Sequence, residues 1–485
     1  VIEAKDLLKD IKEYVAKGSL NCYINGISYD SRKVQPGDVF VAIKGFKADG
    51  HDYILQAIAN GAVAIVAERD ITISDEILFI KVSDTRLALA LMSRAFYGYP
   101  DEKLRLIGVT GTNGKTSVTY MVKSVLEYAG RRVGLIGTIQ NMIGDRAIYA
   151  ERTTPESLDL YKLLNQMVQE DIQDVVMEVS SHSLVLNRIA GCIFDVGVFT
   201  NLTEDHLDFH RTMEDYFAAK LKLFYSSNAV VTNLDDPYGR EIYDIFKDHK
   251  LVTYAVENNA QITASDIKSD ARGSVFNMNI DGAIKPVKIN IPGYFSIYNA
   301  LAAAGACHAL AIEADDIAKG LGGLKGVPGR FEVLDTPTDF TVIIDYAHTP
   351  DGLENILKSV KKITQGRVIA LFGCGGDRDP IKRAIMGEIA GRYADFCIIT
   401  SDNPRSEEPM AIIRQIEEGI RKTRCPYVII ENRKEAIKYG LHMAEKNDVL
   451  LLAGKGHETY QILRDKTIHF DEREIVHELL EEMKR

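Results

Sequence analysis

Short apolar runs rich in Val, Ile and Leu alternate along this chain with longer amphipathic stretches, the pattern of buried strands separated by helices. In the opening segment, residues 39–43 and 62–66 predict strands, and 52–60 predict a helix stopped at Gly61. The pattern restarts past Gly98-Tyr99-Pro100. There residues 104–109, 133–136, 174–179, 194–199 and 229–232 predict strands, with helices over 116–128, 158–170 and 213–224. Residues 274–280 and 284–289 flank Asp281-Gly282 and predict a hairpin, and 300–312 predict a short Ala-rich helix. A second break, Gly326-Val327-Pro328-Gly329-Arg330, precedes a fresh alternation, with strands over 340–344, 367–372, 396–400, 427–430 and 449–453. This predicts an α/β chain of three domains: a small α/β domain (1–98), a central parallel sheet (99–330) and a Rossmann-like domain (331–485). The last lacks a dinucleotide fingerprint, because Gly373-Cys374-Gly375-Gly376 has the wrong spacing.

One polar interruption carries chemistry at once. Residues 108–117 read Gly-Val-Thr-Gly-Thr-Asn-Gly-Lys-Thr-Ser between a predicted strand and a predicted helix. Glycines let backbone N–H groups converge on an anion, and the helix N-terminus adds partial positive charge. Gly111, Thr112, Asn113, Gly114 and Ser117 would cradle the phosphates of ATP, Lys115 would neutralise terminal oxygens, and the Thr116 hydroxyl would meet Mg²⁺. A Gly/Asn turn with a surface lysine is the plain alternative, and it leaves the flanking strand and helix unexplained. Val109 stands where the common Walker pattern has Gly or Ala, so this is a variant phosphate loop, TGTNGKT.

Composition narrows the class. The net charge of −11 over 485 residues argues against a nucleic-acid surface. Six scattered cysteines without a Cys-x-x-Cys pair read as reduced thiols. The charged segment Val1-Ile2-Glu3-Ala4-Lys5-Asp6 is no secretory signal, and no apolar run approaches the roughly 20 residues of a membrane span. The expectation is a cytoplasmic monomer acting on small molecules, with no membrane partner.

Other polar clusters follow predicted strands. Asp174-Val175-Val176-Met177-Glu178 ends in a carboxylate where P-loop enzymes meet Mg²⁺, and Ser180, Ser181 and His182 come next. Residues 200–210 gather Glu204, Asp205 and His206 in a loop; from the residues alone, His206 reads equally as a metal ligand or as a capping side chain. Lys220 falls on an apolar stripe with Phe217 and Phe224, where a snorkelling side chain is the ordinary explanation. In the third domain, Asp345-Tyr346-Ala347-His348-Thr349-Pro350, Ser401-Asp402-Asn403-Pro404-Arg405 and Gly454-Lys455-Gly456-His457-Glu458 each follow a strand. That edge is where α/β folds bind ligands.

Taken in order, residues 110–117, 178–182, 201–210, Ala219-Lys220, Asn299, Arg330, 345–350, 375–379, 402–405 and 454–458 resemble the Mur ligases. The likeness runs from Asp30-Ser31-Arg32 to Glu458. It implies an ATP-dependent amino-acid ligase of peptidoglycan synthesis that adds meso-2,6-diaminopimelate to UDP-N-acetylmuramoyl-L-alanyl-D-glutamate through an acyl phosphate. It also implies that Lys220 is carbamylated by CO₂ (an N6-carboxylysine) and that Lys220, Thr116, Glu178 and His206 hold Mg²⁺, as two ions. Asn299 and Arg330 would contact the adenine and the phosphates, and Asp345 the ribose. His182 would assist positioning or proton transfer.

By the same resemblance, residues 1–98 would bind the UDP-sugar, with Ser31 on the uridine side. Thr153, Thr154, Ser180 and Arg188 would meet the muramoyl-dipeptide end. Two departures bear on these contacts: Leu186 stands where relatives commonly have Gln, and Phe46 where some have His. The third domain would read the amino acid. Asp402, Asn403, Pro404 and Arg405 match the diaminopimelate signature, and Arg378 and Arg405 suit a carboxylate through their planar forks. Asp402, Asn403 and Glu458 would accept from ammonium groups, and the Gly454 backbone would add a contact. Lysine lacks diaminopimelate's far carboxylate, so a lysine-adding ligase is the rival within the family. A folylpolyglutamate synthetase-like enzyme would lack the first domain, and a P-loop regulatory NTPase would not need the rest of the series.

Overall fold

A computed structural model describes residues 1–46 and 48–483, which fall into two compact units. The first comprises Val1–Thr110, Arg131–Gly197 and Ala218–Val230. Its opening segment builds a five-stranded sheet in the order Val15–Lys17, Leu78–Lys81, Ala64–Ala67, Asp38–Val41, Gly26–Ser28, parallel except at the first pair. The side chains alternate between two cores. Val39, Val41, Ala64, Val66, Leu78 and Ile80 pack on one face, and Phe40, Ala42, Ile65, Ala67 and Phe79 on the other. Burial on both faces explains the unbroken apolar runs that predicted the strands at 39–43 and 62–66; Leu78–Lys81, Gly26–Ser28 and Val15–Lys17 were not foreseen. The helix expected at 52–60 begins as the 3₁₀ turn Gly50–Tyr53 and continues as Ile54–Ala59. The helix Thr85–Phe96 was not foreseen; Asp84 caps it, accepting from the N–H groups of Arg86 and Leu87.

The same unit carries the strand Arg105–Thr110, which runs parallel to Asp174–Glu178, itself parallel to Val133–Ile136. In this register Glu178 stands opposite Val109. Asn141–Ile143 and Arg146–Ile148 extend the sheet as an antiparallel hairpin.

The second unit comprises Gly111–Gly130, Val198–Phe217 and Val231–Arg485. The helix Lys115–Tyr128, which opens from the phosphate loop, packs on Tyr294–Ala309 and Ala314–Gly323. The Ala-rich helix therefore starts earlier and ends sooner than the 300–312 expected. Ile262–Asp270, Gly273–Ile280 and Ala283–Ile289 form an antiparallel meander. Its second hairpin closes from Ile280 to Ala283 with Asp281 at φ 49° and Gly282 at φ 92°, the two positive φ angles that Asp-Gly accommodates.

The C-terminal sheet is ordered Glu332–Val333, Thr341–Asp345, Val449–Ala453, Val368–Phe372, Phe396–Ile399, Tyr427–Ile429, parallel except at the first pair. Its latest parallel strand in the chain inserts between the two earliest. The carboxyl ends of Thr341–Asp345, Val368–Phe372, Phe396–Ile399 and Val449–Ala453 thus share one edge, and the loops that leave them are neighbours.

Candidate active site

In the second unit the phosphate loop is laced to the segment that follows Phe199. Thr112 N–H donates to Asn201 O (2.9 Å), and Asn113 N–H donates to Asn201 Oδ1 (2.9 Å). Thr200 Oγ1 donates to Asn113 O at 2.7 Å, and Thr203 N–H to Thr112 Oγ1 at 3.0 Å. Gly114, at φ 88°, is the N-cap of Lys115–Tyr128, and a Cβ there would sit 2.4 Å from Asn299 Oδ1. Only glycine meets both demands. Lys115 Nζ curls over the loop, donating to the Gly111 and Thr112 carbonyls at 2.8 Å each.

Arg330 Nη2 donates to Thr116 Oγ1 at 3.1 Å, and its guanidinium lies 4.6 Å from the Tyr346 ring centroid. Asp345 accepts from Phe331 N–H (2.7 Å) and Ala347 N–H (2.8 Å), and burial holds its carboxyl above the ordinary range. The structure therefore brings together Thr112, Asn113, Gly114, Lys115, Thr116, Asn299 and Arg330. His206, at φ 55°, precedes the short helix Leu207–His210, and its Nε2 lies 3.4 Å from Asp205 Oδ2. Burial raises the Asp205 carboxyl, but the charges of His206, His348 and Lys382 outweigh it and hold the group below the usual range.

The carboxyl edge of the C-terminal sheet carries a second cluster. Asp402 and Asn403 are buried, and Asn403 Nδ2 donates to Glu458 Oε2 at 3.0 Å. Gly454, at φ 115°, is so close to Asp402 that a Cβ would lie 2.6 Å from its Oδ2. Burial is the main influence raising the Glu458 carboxyl above its ordinary range. Arg405, at φ 53°, donates from Nη1 to Gly376 O (2.9 Å), and exposed Arg378 donates to Asp377 O (3.2 Å). Both arginines pass over Gly375, whose Cβ would lie 2.8 Å from Arg405 Nη1 and 3.8 Å from Arg378 Cγ.

Sequence reading missed what holds this pocket. Arg433 and Glu472, both without solvent exposure, pair at 2.8 Å, and Arg433 also donates to Ala453 O (2.8 Å) and Ser401 O (3.4 Å). Those carbonyls immediately precede Gly454 and Asp402. Arg383 likewise grips Glu407 through both terminal nitrogens and reaches Gly375 O. The Asn432 cap and the apolar face of Arg433–Met443 place a helix start here, but nothing local marks Arg433's partner.

In the first unit, Glu178 accepts from Thr138 N–H (2.9 Å) and Thr138 Oγ1 (3.0 Å), and Thr153 Oγ1 lies 3.1 Å from the same hydroxyl. Thr154 Oγ1 donates to Glu178 O, and Ser180 N–H donates back to that hydroxyl. Ser180 caps the short helix Ser181–Val185, which carries His182. Arg188 donates to Thr154 O and ion-pairs with Glu156, while burial lowers its pKa. Thr153, Thr154, Glu178, Ser180 and Arg188 are thus one network. Ser31 belongs to another neighbourhood: its hydroxyl donates to Gln56, and its carbonyl accepts from Asn60. Lys220 is 1% exposed, with Nζ 3.5 Å from Thr110 Oγ1, so it does not snorkel to water.

Three family models match the chain. They are described as Mur ligase family, catalytic domain (residues 23–97), Mur ligase middle domain (109–307) and Mur ligase, glutamate ligase domain (329–456). A UDP-N-acetylmuramoyl-L-alanyl-D-glutamate--2,6-diaminopimelate ligase from Caldanaerobacter subterraneus subsp. tengcongensis is 54% identical over 481 residues, 99% of each chain. A solved structure of an enzyme of that name aligns with a TM-score of 0.71 at 30% identity, covering 100% of this chain and 99% of that one. The MurF ligase of Thermotoga maritima, solved in complex with ADP, shares the fold at a TM-score of 0.65 and 22% identity, covering 94% and 97%.

Proposed function

The chain belongs to the Mur ligase family, and we propose that it joins meso-2,6-diaminopimelate to UDP-N-acetylmuramoyl-L-alanyl-D-glutamate with conversion of ATP to ADP and phosphate. The observation that carries the reading is the pocket at the carboxyl edge of the C-terminal sheet. There buried Asp402 and Asn403 and half-buried Glu458 accompany Arg405 and Arg378. An amino acid whose far end bears both an ammonium and a carboxylate satisfies that set; lysine leaves the arginines without their anion. On this reading residues 1–98 bind the UDP-sugar, 99–330 bind ATP and 331–485 bind the amino acid. No helix among the described residues is long and apolar enough to cross a membrane, and we place the reaction in the cytoplasm.

The free D-Glu carboxylate attacks the γ-phosphorus of ATP, releasing ADP and leaving an acyl phosphate. An amine of diaminopimelate then attacks the acyl carbon. The tetrahedral intermediate loses phosphate and a proton to give the peptide bond. The N–H groups of Gly111–Ser117 and Lys115 stabilise charge on the phosphoryl group in flight. Asn299, Arg330 and Asp345 orient the nucleotide. Thr153, Thr154, Ser180 and Arg188 hold the dipeptide end and Ser31 the uridine end, while His182 positions the reacting carboxylate or carries a proton.

The family reading includes Mg²⁺ and a carbamate on Lys220. Among the described residues, no cluster of three or more His, Cys, Asp or Glu is placed to hold a metal. The donors that the family reading supplies are of another kind: the Thr116 hydroxyl and the His206 imidazole in the second unit, and the Glu178 carboxylate and carbamate oxygens on Lys220 in the first. Lys220 is enclosed, and its amine, as the neutral base, would add CO₂ with loss of one proton to give an anionic carbamate, which is an oxygen donor. The hydroxyl, carboxylate and carbamate oxygens are hard donors that suit Mg²⁺, with the His206 imidazole the softer member of the set, and the ion when bound would offset the charge of the phosphates.

The test is ADP release with UDP-N-acetylmuramoyl-L-alanyl-D-glutamate, Mg²⁺ and ATP, adding meso-diaminopimelate or L-lysine in parallel. Turnover that depends on diaminopimelate is expected. Turnover with lysine alone would overturn the specificity, and nucleotide hydrolysis indifferent to both acceptors would overturn the ligase reading.

A further inference from the structure

One charged side chain in the pocket has no part in the mechanism above. Lys455 sits two residues past the strand Val449–Ala453, and its side chain is 0% exposed. Its Nζ lies 3.1 Å from Asn403 Oδ1, 3.2 Å from Glu458 Oε2 and 3.9 Å from Asp402 Oδ1. The rings of Tyr460 and Phe470 each lie 5.9 Å away, completing an enclosure of aromatic faces and acceptors. Asn403 is fixed on both ends: its Oδ1 also accepts from Ile462 N–H, and its Nδ2 donates to the Glu458 oxygen that Lys455 touches. One buried ammonium therefore meets all three pocket acceptors, which arrive on two different loops.

We propose that Lys455 is a positioning residue of the amino-acid pocket, pinning Asp402, Asn403 and Glu458 together and balancing one of the two carboxylates, so that the pocket receives a ligand group bearing a single positive charge. The inference rests on the amino-acid reading of this pocket and goes beyond it by assigning the charge balance to one residue. Neighbouring like charges in an enclosed site oppose one another, and a cation placed between them offsets that repulsion. Burial and Asp402 already push the Glu458 carboxyl up, while Lys455 and the Asn403 hydrogen bond pull it down. Tyr346 is also near enough to feel the Glu458 charge, and Arg330 and Tyr460 face that tyrosine in turn. Removing the ammonium takes away the largest influence that lowers the Glu458 carboxyl, and a protonated Glu458 is a poor acceptor for an ammonium.

Lys455→Met keeps the length of the stem and removes the charge. Measured against pH, kcat/KM for diaminopimelate should fall about tenfold or more near neutrality, through KM. Its acid limb should move up by about one pH unit. The KM for ATP should stay within about twofold, since a tenfold change would need about 1.4 kcal/mol lost at a site Lys455 does not touch. Glu458→Gln added to Lys455→Met should abolish the displaced limb. A Lys455→Met enzyme that is folded and keeps the native pH profile, or that loses ATP and amino-acid affinity alike, overturns the proposal. Should Lys455→Met not fold, Glu458→Gln alone decides: the acid limb should disappear, and its persistence overturns the assignment. Native enzyme without diaminopimelate-dependent turnover would instead overturn the functional reading, before any variant is compared.

Discussion

The phosphate loop and the amino-acid pocket lie in the same unit and are built by opposite means. The loop is backbone chemistry from one contiguous stretch: converging N–H groups, a glycine at positive φ, a helix start, and a few hydrogen bonds to residues 200–203. The pocket is side-chain chemistry from three strand ends, kept in register by buried charge: Arg433 with Glu472, Arg383 with Glu407, and Lys455 among the acceptors. A backbone cradle recognises what every nucleotide triphosphate shares. A charge-balanced pocket recognises one amino acid, and a single substitution retunes it.

Lys115→Ala attacks the loop and should have the largest effect. Losing the cation beside the transferring phosphoryl group should lower kcat by about 10³-fold or more. Binding of diaminopimelate, followed by calorimetry, should be little changed. A comparable loss of amino-acid affinity would show that the two regions are not separately built.

Arg433→Met attacks the frame of the pocket. It strands the Glu472 carboxylate in a site with no solvent exposure, a change that typically costs about 3–5 kcal/mol. Urea unfolding should register that loss. The double variant Arg433→Met with Glu472→Leu should recover most of it, because replacing a whole buried pair by apolar side chains is close to neutral. Its affinity for diaminopimelate should nevertheless remain reduced, since the Ala453 and Ser401 carbonyls have lost their common donor. Recovery of stability and affinity together would demote Arg433 to a structural residue.

How much of this was legible follows the same division. The strands Val133–Ile136, Phe194–Phe199 and Val449–Ala453 begin and end where the apolar pattern puts them, because their side chains are almost all buried. The half-exposed strand Ile262–Asp270 reads as polar and was not foreseen. The Thr85–Phe96 helix hides in a Leu/Ala run with no clear period, although Asp84 two residues before Arg86 was a usable capping signal. Within the site, the phosphate loop is local in sequence and so was readable. Arg433 and Glu472 stand 39 positions apart, and no pattern ties a helix's first residue to one so distant. Lys455 was in view as part of a polar turn, but only burial shows that its ammonium faces inward. Lys220 teaches the same lesson: periodicity placed it on an apolar stripe, and burial decided against snorkelling.

Arg405→Ala should act within the pocket alone. Loss of one charged hydrogen-bond partner costs about 1.5–3 kcal/mol, so kcat/KM for diaminopimelate should fall about 10- to 150-fold through KM. The preference over lysine should narrow by a similar factor, because lysine has no far carboxylate to lose.

The smallest effect probes the seam between the two constructions. Asn113 of the phosphate loop donates from Nδ2 to Asp351 Oδ2 at 2.7 Å, and Asp351 lies in the first turn of Pro350–Ile363, the helix that leaves the Asp345 strand. Burial raises the Asp351 carboxyl, while Asn355, Thr203 and Asn113 all donate to it and oppose the rise. Asp351→Ala removes one neutral-to-charged hydrogen bond from the loop and leaves every pocket residue in place. A loss of about 1 kcal/mol is expected, read as a roughly fivefold higher KM for ATP with the KM for diaminopimelate unchanged. If the amino-acid KM rises in step, the hydrogen bond couples the cradle to the pocket, and the two regions communicate through the base of that helix. If only the nucleotide is affected, Asp351 belongs to the loop's own scaffold, and the generic and the specific halves of the site are energetically separate.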